Sequence, residues 1–517
     1  MSRLNHKPPS ALVIGAGFGG LAAAMRLGAK GYRVTVLDRL ESPGGRATSV
    51  TRNGHRFDLG PTIVTVPDVF QKLWAATGRR FEDDVDLRPL DPFYEIRFQD
   101  GSAFTARKDP AAMREEVRRL APDDLAGFDR LMRGAERRYQ FGFENLGRRP
   151  MHELWELIKV LPTFAWYRAD RSIYAHAARQ VRDERLRMAL SFHPLFIGGD
   201  PFKVTSMYAL VSHLEAAFGV HYAMGGAGAI AEGMAKVVGD QGGEVLYGAQ
   251  ADEITVENDR ATGVKLASGE TLRSESVVSN ADVGHTYDHL LRKRRRKRWT
   301  GPRLKRARWS MGLFLWYFGT KGTRDLWPDV GHHTILNGPR YRGLVRDIFI
   351  KGRLAEDMSL YVHRPTVTDP SAAPAGGDTF YALSPVPHLG HADPVDWAER
   401  AEPYRQKVQE ALERDLLPGL SAHLSASHVM TPNDFESRYL SPHGSGFSIE
   451  PRILQSAWFR PHNVSEEVKG LFLVGAGTHP GAGLPGVVVS AEVMDQLVPD
   501  ARPAMADATA ADLVAAE

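Results

Sequence analysis

The strand, glycine turn and helix at residues 11–27 constrain this chain more than any other feature. Ala11, Leu12, Val13 and Ile14 run into Gly15, Gly17 and Gly20, and the small, helix-favouring residues Leu21 to Leu27 follow. In a GxGxxG turn the first glycine allows a tight bend. The second lets backbone approach a pyrophosphate, and the third lets helix pack on strand. The helix N-terminus then faces the phosphates. A second strand, Arg33 to Leu37, ends at Asp38, where a carboxylate can accept both hydrogen bonds of an adenosine ribose. Strand, turn, helix and acid together predict a dinucleotide site.

Pro43, Gly44, Gly45 and Arg46 follow the acidic strand end, and GHRFDLGPT (Gly54 to Thr62) comes next, with Gly60 and Thr62 as further candidate contacts. An NAD site does not need this extension. It resembles the GGR segment of FAD-dependent oxidases, in which the arginine and the glycine amides reach the pyrophosphate, so FAD is the expected cofactor. Gly226, Gly228 and Ala231 offer a second GxGxxA turn, but no acidic residue ends the next strand, Glu244 to Tyr247. A second nucleotide site is therefore not expected, and electrons are expected to pass to oxygen or a quinone.

A chain of 517 residues, 43% of them hydrophobic, can bury one large core or two. The expected fold class is α/β with α+β insertions: a discontinuous Rossmann-like FAD-binding domain and a second, substrate- and membrane-facing domain. The FAD-binding parts are assigned to residues 1–66, 221–300 and 442–500, the second domain to 67–220 and 301–441, and a flexible tail to 501–517. The middle FAD-binding part holds a helix from Ala227 to Val238 and an alternating meander turned at Asn258-Asp259 and Ser268-Gly269, with Ala251 on the adenine side. The last part holds LFLVGAGTHPGAGLPGVVVS. There Gly475 and Gly477 let backbone approach a flat ring, and a helix starting at Gly486, with Pro485 and Val487 beside it, favours negative charge on a reduced flavin.

The absence of cysteine removes disulfides, thiolate metal sites and a cysteinyl-linked flavin, and agrees with a reducing cytoplasm. A net charge of +3 does not suggest bulk nucleic-acid binding. HExxH, GxSxG and Walker patterns are absent, and no metal is expected: His332-His333, the only adjacent histidine pair, reads as a solvated or hydrogen-bonded loop. No uninterrupted apolar run is long enough to span a bilayer.

Two segments point to a membrane surface. RKRRRKR (Arg292 to Arg298) continues through Arg303, Lys305, Arg306 and Arg308 with Trp299 and Trp309 interleaved, a pattern suited to anionic lipid and the headgroup layer, or to a solvated loop. Leu154, Leu157, Ile158 and Leu161 recur at helical spacing, with Trp155 alongside and Pro162 ending the run. That stripe is either core packing or an interfacial helix at a tunnel mouth. The expected location is cytoplasmic, peripheral on the inner membrane.

With these residues in view, the chain resembles the phytoene desaturase family of bacterial carotenoid biosynthesis, within the FAD-dependent amine oxidase-like superfamily. The resemblance rests on GAGFGGLAAA, PGGRATSV, GHRFDLGPTIVTVP, SFHPLFIGGDPFKVTSMYALV, FSIEPRILQSAWFRPHN and LVGAGTHPGAGLPGVV, and covers nearly the whole length. It is nearest to enzymes of purple phototrophic alphaproteobacteria that take phytoene through three desaturations to neurosporene; related enzymes make four and reach lycopene. An amine or porphyrinogen oxidase, and a prenyl-binding chaperone of the Rab escort kind, are alternatives on the same scaffold.

A hydrocarbon substrate asks for an apolar tunnel and a flavin. Glu450, in FSIEPR, either stabilises developing positive charge or accepts the proton, or else pairs structurally with Arg452. Asp200 and His193, in FHPLFIGGDP, are the other candidates for chemistry or for holding a loop.

Overall fold

The computed structural model describes residues 8–501. Three distant stretches return to one parallel sheet. Its strand order is Glu244–Leu246, Arg33–Leu37, Ser10–Ile14, Ser276–Ser279, Leu471–Leu473. Ala11 to Ile14 are all buried, as a central parallel strand covered on both faces requires. One cover is made by the helices Phe18–Ala29, Ala227–Asp240 and Leu484–Asp495, whose alanines and glycines let their axes approach closely. The other cover is the antiparallel meander Ala251–Glu257, Arg260–Leu266, Thr271–Arg273. Its first turn places Asn258 and Asp259 at φ 49° and 60°, the left-handed pair that matches the twist of a tight hairpin.

The second body is built on a seven-stranded sheet in the order Leu424–Met430, Gly312–Thr320, Asp378–Val386, Leu360–His363, His333–Leu336, Tyr94–Arg97, Ala103–Ala106. Every pairing is antiparallel except that of His333–Leu336 with Tyr94–Arg97. All nine residues of Gly312–Thr320 are buried, and alternation divides them between the faces. Phe314, Trp316 and Phe318 pack with Trp397, Tyr404 and Leu412 of the helix Trp397–Asp415. Leu313, Leu315 and Tyr317 turn the other way, with Tyr361 and Tyr381 from neighbouring strands. That second face roofs the large cavity described below.

Packing departs from the expected segment boundaries at two joins. Phe70, Trp74 and Phe81 lie in the core of the nucleotide body, so its packing unit continues past residue 66. Leu304 and Trp309 join the core beside the meander, beyond residue 300. The helix Leu154–Trp166 does not stop at Pro162 but runs four residues past it. Proline removes one donor, and the turn it interrupts is exposed at Ile158 and Leu161, where water can satisfy the freed carbonyl. Of the expected tail only Ala501 is described, and it is buried; residues 502–517 lie outside the described residues.

Candidate active site

The glycine turn is held by its own backbone. Gly15, at φ 96°, donates its N–H to Leu37 O at 2.7 Å, which joins the turn to the end of the second strand. Gly20 faces away from the cavity; a Cβ there would lie 1.9 Å from Gly15 O, so this glycine serves helix–strand packing. Asn280, which no sequence pattern marked, wedges its amide against the positions a Cβ would take at Gly15, Gly17, Gly19 and Gly475. It thereby couples the first and last nucleotide segments.

Asp38 carries more than a ribose. Its Oδ2 accepts the Ala16 N–H at 2.6 Å and its Oδ1 the Leu40 N–H at 2.8 Å, so the acid braces the glycine turn and keeps one lone pair per oxygen for a ligand. Burial pushes its carboxyl above the ordinary value against the pull of those two amides. Gly44 donates to Ala16 O at 2.8 Å, which lays the GGR segment on the turn. Gly60 sits beneath it, where a Cβ would lie 2.1 Å from Arg46 O.

A cavity of about 690 Å³ runs from these residues into the second body. Gly15, Gly17, Asp38, Gly44, Gly45, Arg46, Gly60, Thr62, Ala251, Gly475, Pro485, Gly486 and Val487 all line it. Gly20 and Gly477 do not; a Cβ at Gly477 would meet the Val283 methyls at 2.6 and 2.7 Å, a packing constraint. The last helix begins at Leu484, not Gly486. Val487 N–H is therefore already given to Gly483 O at 2.9 Å, and the open amides of that first turn belong to Leu484 and Gly486.

The residues present fit a flavin dinucleotide. Arg46 Nε is buried on a cavity-lining residue with no hydrogen-bond partner among the described residues; its Nη2 stands 3.9 Å from Asp282 Oδ2, and glycine amides lie beside it. A spare donor and an uncapped helix start suit an anionic pyrophosphate.

Of the four candidates for chemistry, only His193 lines the cavity. Its Nε2 lies 3.3 Å from Glu215 Oε2, a carboxylate oxygen that also accepts the Tyr94 hydroxyl at 2.9 Å. Glu215, likewise cavity-lining, was not legible in sequence because a single glutamate in a helix of mixed character carries no local mark. Glu450 lies outside the lining, 1% exposed, paired with Arg452 Nε at 2.6 Å and accepting the Asp200 N–H at 3.3 Å. Asp200 in turn caps the next turn through Phe202 N–H at 2.8 Å.

Burial, only partly offset by Arg452, raises Glu450 from 4.5 to about 6. Because the folded value lies above the unfolded one, the carboxyl's contribution to stability is complete below pH 4.5 and is lost as pH rises through about 6. The change amounts to about 2 kcal/mol. Glu450→Gln should flatten that part of the profile of unfolding midpoint against pH, and an unchanged slope would show that Glu450 is not its source.

Around the mouth, Leu154, Trp155, Ile158, Leu161 and Trp166 are exposed, Trp166 at 83%, and Leu454 is exposed at 69%. Leu157, Leu161, Phe164, Ile453 and Leu454 line the cavity there. The basic run is placed differently from expectation. Trp299 and Trp309 are buried, the former donating to Glu466 at 3.2 Å. Arg292, Lys293, Arg294, Arg296 and Arg298 each pair with a carboxylate: Asp252, Glu253, Asp259, Asp288 and Glu466 respectively. Five of the seven cations of Arg292 to Arg298 are thus paired within the molecule.

The sequence pattern of flavin containing amine oxidoreductases matches residues 18–492. A curated relative, the neurosporene-forming phytoene desaturase of Cereibacter sphaeroides, is 66% identical over 98% of both chains. This chain is a member of the phytoene desaturase family of flavin amine oxidoreductases. The neurosporene-forming phytoene desaturase of Rhodobacter capsulatus is 63% identical over 97% of this chain and 96% of its own. Among solved structures, an oxidoreductase from Methanosarcina mazei superposes with a TM-score of 0.61 at 18% identity, covering 93% of this chain and 98% of that one, which shows a shared fold. The family's cofactor is flavin, and FAD is the form that Asp38 and the GGR segment accommodate. Among the described residues no helix is long and apolar enough to cross a membrane.

Proposed function

We propose that this protein is an FAD-dependent phytoene desaturase that removes hydrogen stepwise, through phytofluene and zeta-carotene, to neurosporene while resting on the cytoplasmic face of a membrane. The observation that carries the reading is a single cavity that begins at a dinucleotide cradle, passes under an apolar sheet face and opens among exposed apolar side chains. The neurosporene-forming activity of the two purple-bacterial relatives supports the same reaction and product.

The glycine turn, Asp38, Gly44, Gly45, Arg46 and the Leu484–Asp495 helix start would hold FAD, with the Gly475 loop alongside. When bound, FAD supplies a two-electron acceptor for hydride, reoxidised by oxygen or a quinone. An allylic C–H without activation is too weak an acid for a carboxylate to deprotonate unaided, so the chain's acid–base groups act on a proton made acidic by positive charge on the polyene. Leu313, Leu315 and Leu383 of the sheet orient the hydrocarbon and exclude water. Asp38, Asp282 and Glu215 are the carboxylates lining the cavity, and the first two belong to the cofactor end. We therefore give the proton to Glu215, hydrogen-bonded to His193 and Tyr94, in preference to Glu450. Incubating purified protein with FAD and phytoene in liposomes, and separating the products by chromatography, tests the reading. Neurosporene is expected; lycopene as end product would revise the number of steps, and no conversion would reject the function.

Membrane docking is assigned to the Leu154–Trp166 helix and Leu454 rather than to the basic run. Each large apolar side chain buried in lipid contributes about 1.5–3 kcal/mol. Ile158→Asp combined with Trp166→Asp should therefore weaken liposome binding by about 100-fold or more. Wild-type binding should survive 1 M salt, where the Debye length is about 3 Å. Release by salt, with the double variant binding normally, would return the role to residues 292–308.

A further inference from the structure

His332, His333 and His363 form a cluster remote in sequence from the cofactor segments. All three are buried, and one ring nitrogen from each lies within 4.8 Å of the other two. His333 and His363 face each other in register across two antiparallel strands, so the backbone, not the rotamers alone, sets their separation. His332 Nε2 and His363 Nε2 share a hydrogen bond at 3.1 Å, whose proton a bound metal ion would displace. The outer nitrogens are engaged: His332 Nδ1 with the Thr368 hydroxyl and His333 Nδ1 with the Tyr361 hydroxyl, both at 2.7 Å. His333 Nε2 is buried with no hydrogen-bond partner among the described residues.

This is the pattern of an imidazole metal site. Hydroxyls on Nδ1 of two ligands can accept its N–H and so fix the tautomer that leaves Nε2 as a lone pair, the usual second-layer arrangement around a metal. A buried Nε2 that nothing meets is costly, and a metal ion would meet it. Two nitrogens on a tetrahedral Zn²⁺ at about 2.0–2.1 Å stand roughly 3.4 Å apart, close to the spacing of the His332–His363 pair. The third nitrogen, within 4.8 Å of the other two, would need to close by up to about 1.4 Å. Asp369 is the carboxylate whose charge acts on His332, and it would offset part of the ion's charge.

We propose that His332, His333 and His363 bind one divalent transition-metal ion of the Zn²⁺ class through their Nε2 atoms, with a water as fourth ligand. Its role is structural. It would clamp the ends of His333–Leu336 and Leu360–His363 and, through His333 and Tyr361, stiffen the cavity wall that Tyr361 and Thr62 form.

Untagged, FAD-loaded full-length protein, stripped with a chelator and then titrated with ZnSO₄, tests this by elemental analysis; CoCl₂ supplies a visible spectrum. Wild type should take up about one equivalent of zinc, and Co²⁺ should show the intense visible bands of a tetrahedral site. His363→Gln and His332→Gln should lose both signals. Thr368→Val, which keeps all three ligands and lies outside the cavity lining, should bind zinc about 10–100-fold more weakly with flavin absorbance unchanged. No stoichiometric uptake by wild type, or equal uptake by wild type and both histidine variants, overturns the proposal.

Discussion

Arg460→Ala is expected to yield little or no flavin-loaded protein. The side chain is 1% exposed and donates to four backbone carbonyls: Thr478 O at 3.1 Å, Gln455 O and Ile449 O at 3.0 Å, and Ala476 O at 2.6 Å. It ties the segment carrying Glu450 to the glycine loop at the cofactor end of the cavity. Truncation would leave four acceptors without their donor at about 1–3 kcal/mol each, a sum comparable to the 5–15 kcal/mol by which a typical domain is stable. Arg460→Lys can replace only part of the fork and should fall between the two. Flavin absorbance per polypeptide and the thermal midpoint are the readouts. Wild-type values for both in Arg460→Ala would show that these bonds do not hold the site together.

Asp38→Ala is expected to weaken FAD binding by about 100-fold or more. Two effects add: the ribose loses its acceptor, and the Ala16 N–H loses the carboxylate that fixes the glycine turn. A hydrogen bond to a charged group contributes about 1.5–3 kcal/mol, so two of them exceed the roughly 2.7 kcal/mol that a 100-fold change requires. Asp38→Asn should fall between the two, since an amide has one acceptor oxygen and cannot serve both the Ala16 and Leu40 N–H groups as well as a ribose. Titrating apoprotein with FAD and following the quenching of free-flavin fluorescence measures the change. Unchanged affinity in Asp38→Ala would remove the residue from the site.

The two predictions differ in how they were reached. Asp38 was legible because its position follows from local rules: a strand that ends, an acid at its end, and a glycine turn about twenty residues upstream. Arg460 was not, although FSIEPRILQSAWFRPHN contains it. Its partners lie on two segments whose approach no local pattern encodes. Asn280, wedged among glycines at 15, 17, 19 and 475, was hidden for the same reason.

Local chemistry also misdirects where burial is decided at a distance. Trp299 and Trp309 stand among arginines and read as interfacial, yet both are buried, and the neighbouring cations are met by acids of the meander about forty residues earlier and by Glu466. The stripe Leu154 to Leu161 reads first as core packing and second as an interfacial helix, and only the placement of the surrounding elements leaves Leu154, Ile158 and Leu161 exposed beside the cavity mouth. His332-His333 reads as a loop pair; a third histidine, His363, arrives from the facing strand and turns it into a buried cluster.

By itself, then, the sequence determined the elements whose causes are short-range: the first βαβ unit, the hairpin at Asn258-Asp259, the glycines that admit a dinucleotide, and the acid beside them. The tertiary structure alone decided which side chains share a cavity, which charges are neutralised, and that Glu450 lies behind the wall while Glu215 lines it. The reason is physical: backbone conformation responds to neighbours a few residues away, whereas burial and hydrogen-bond satisfaction depend on segments that meet only when the chain has folded.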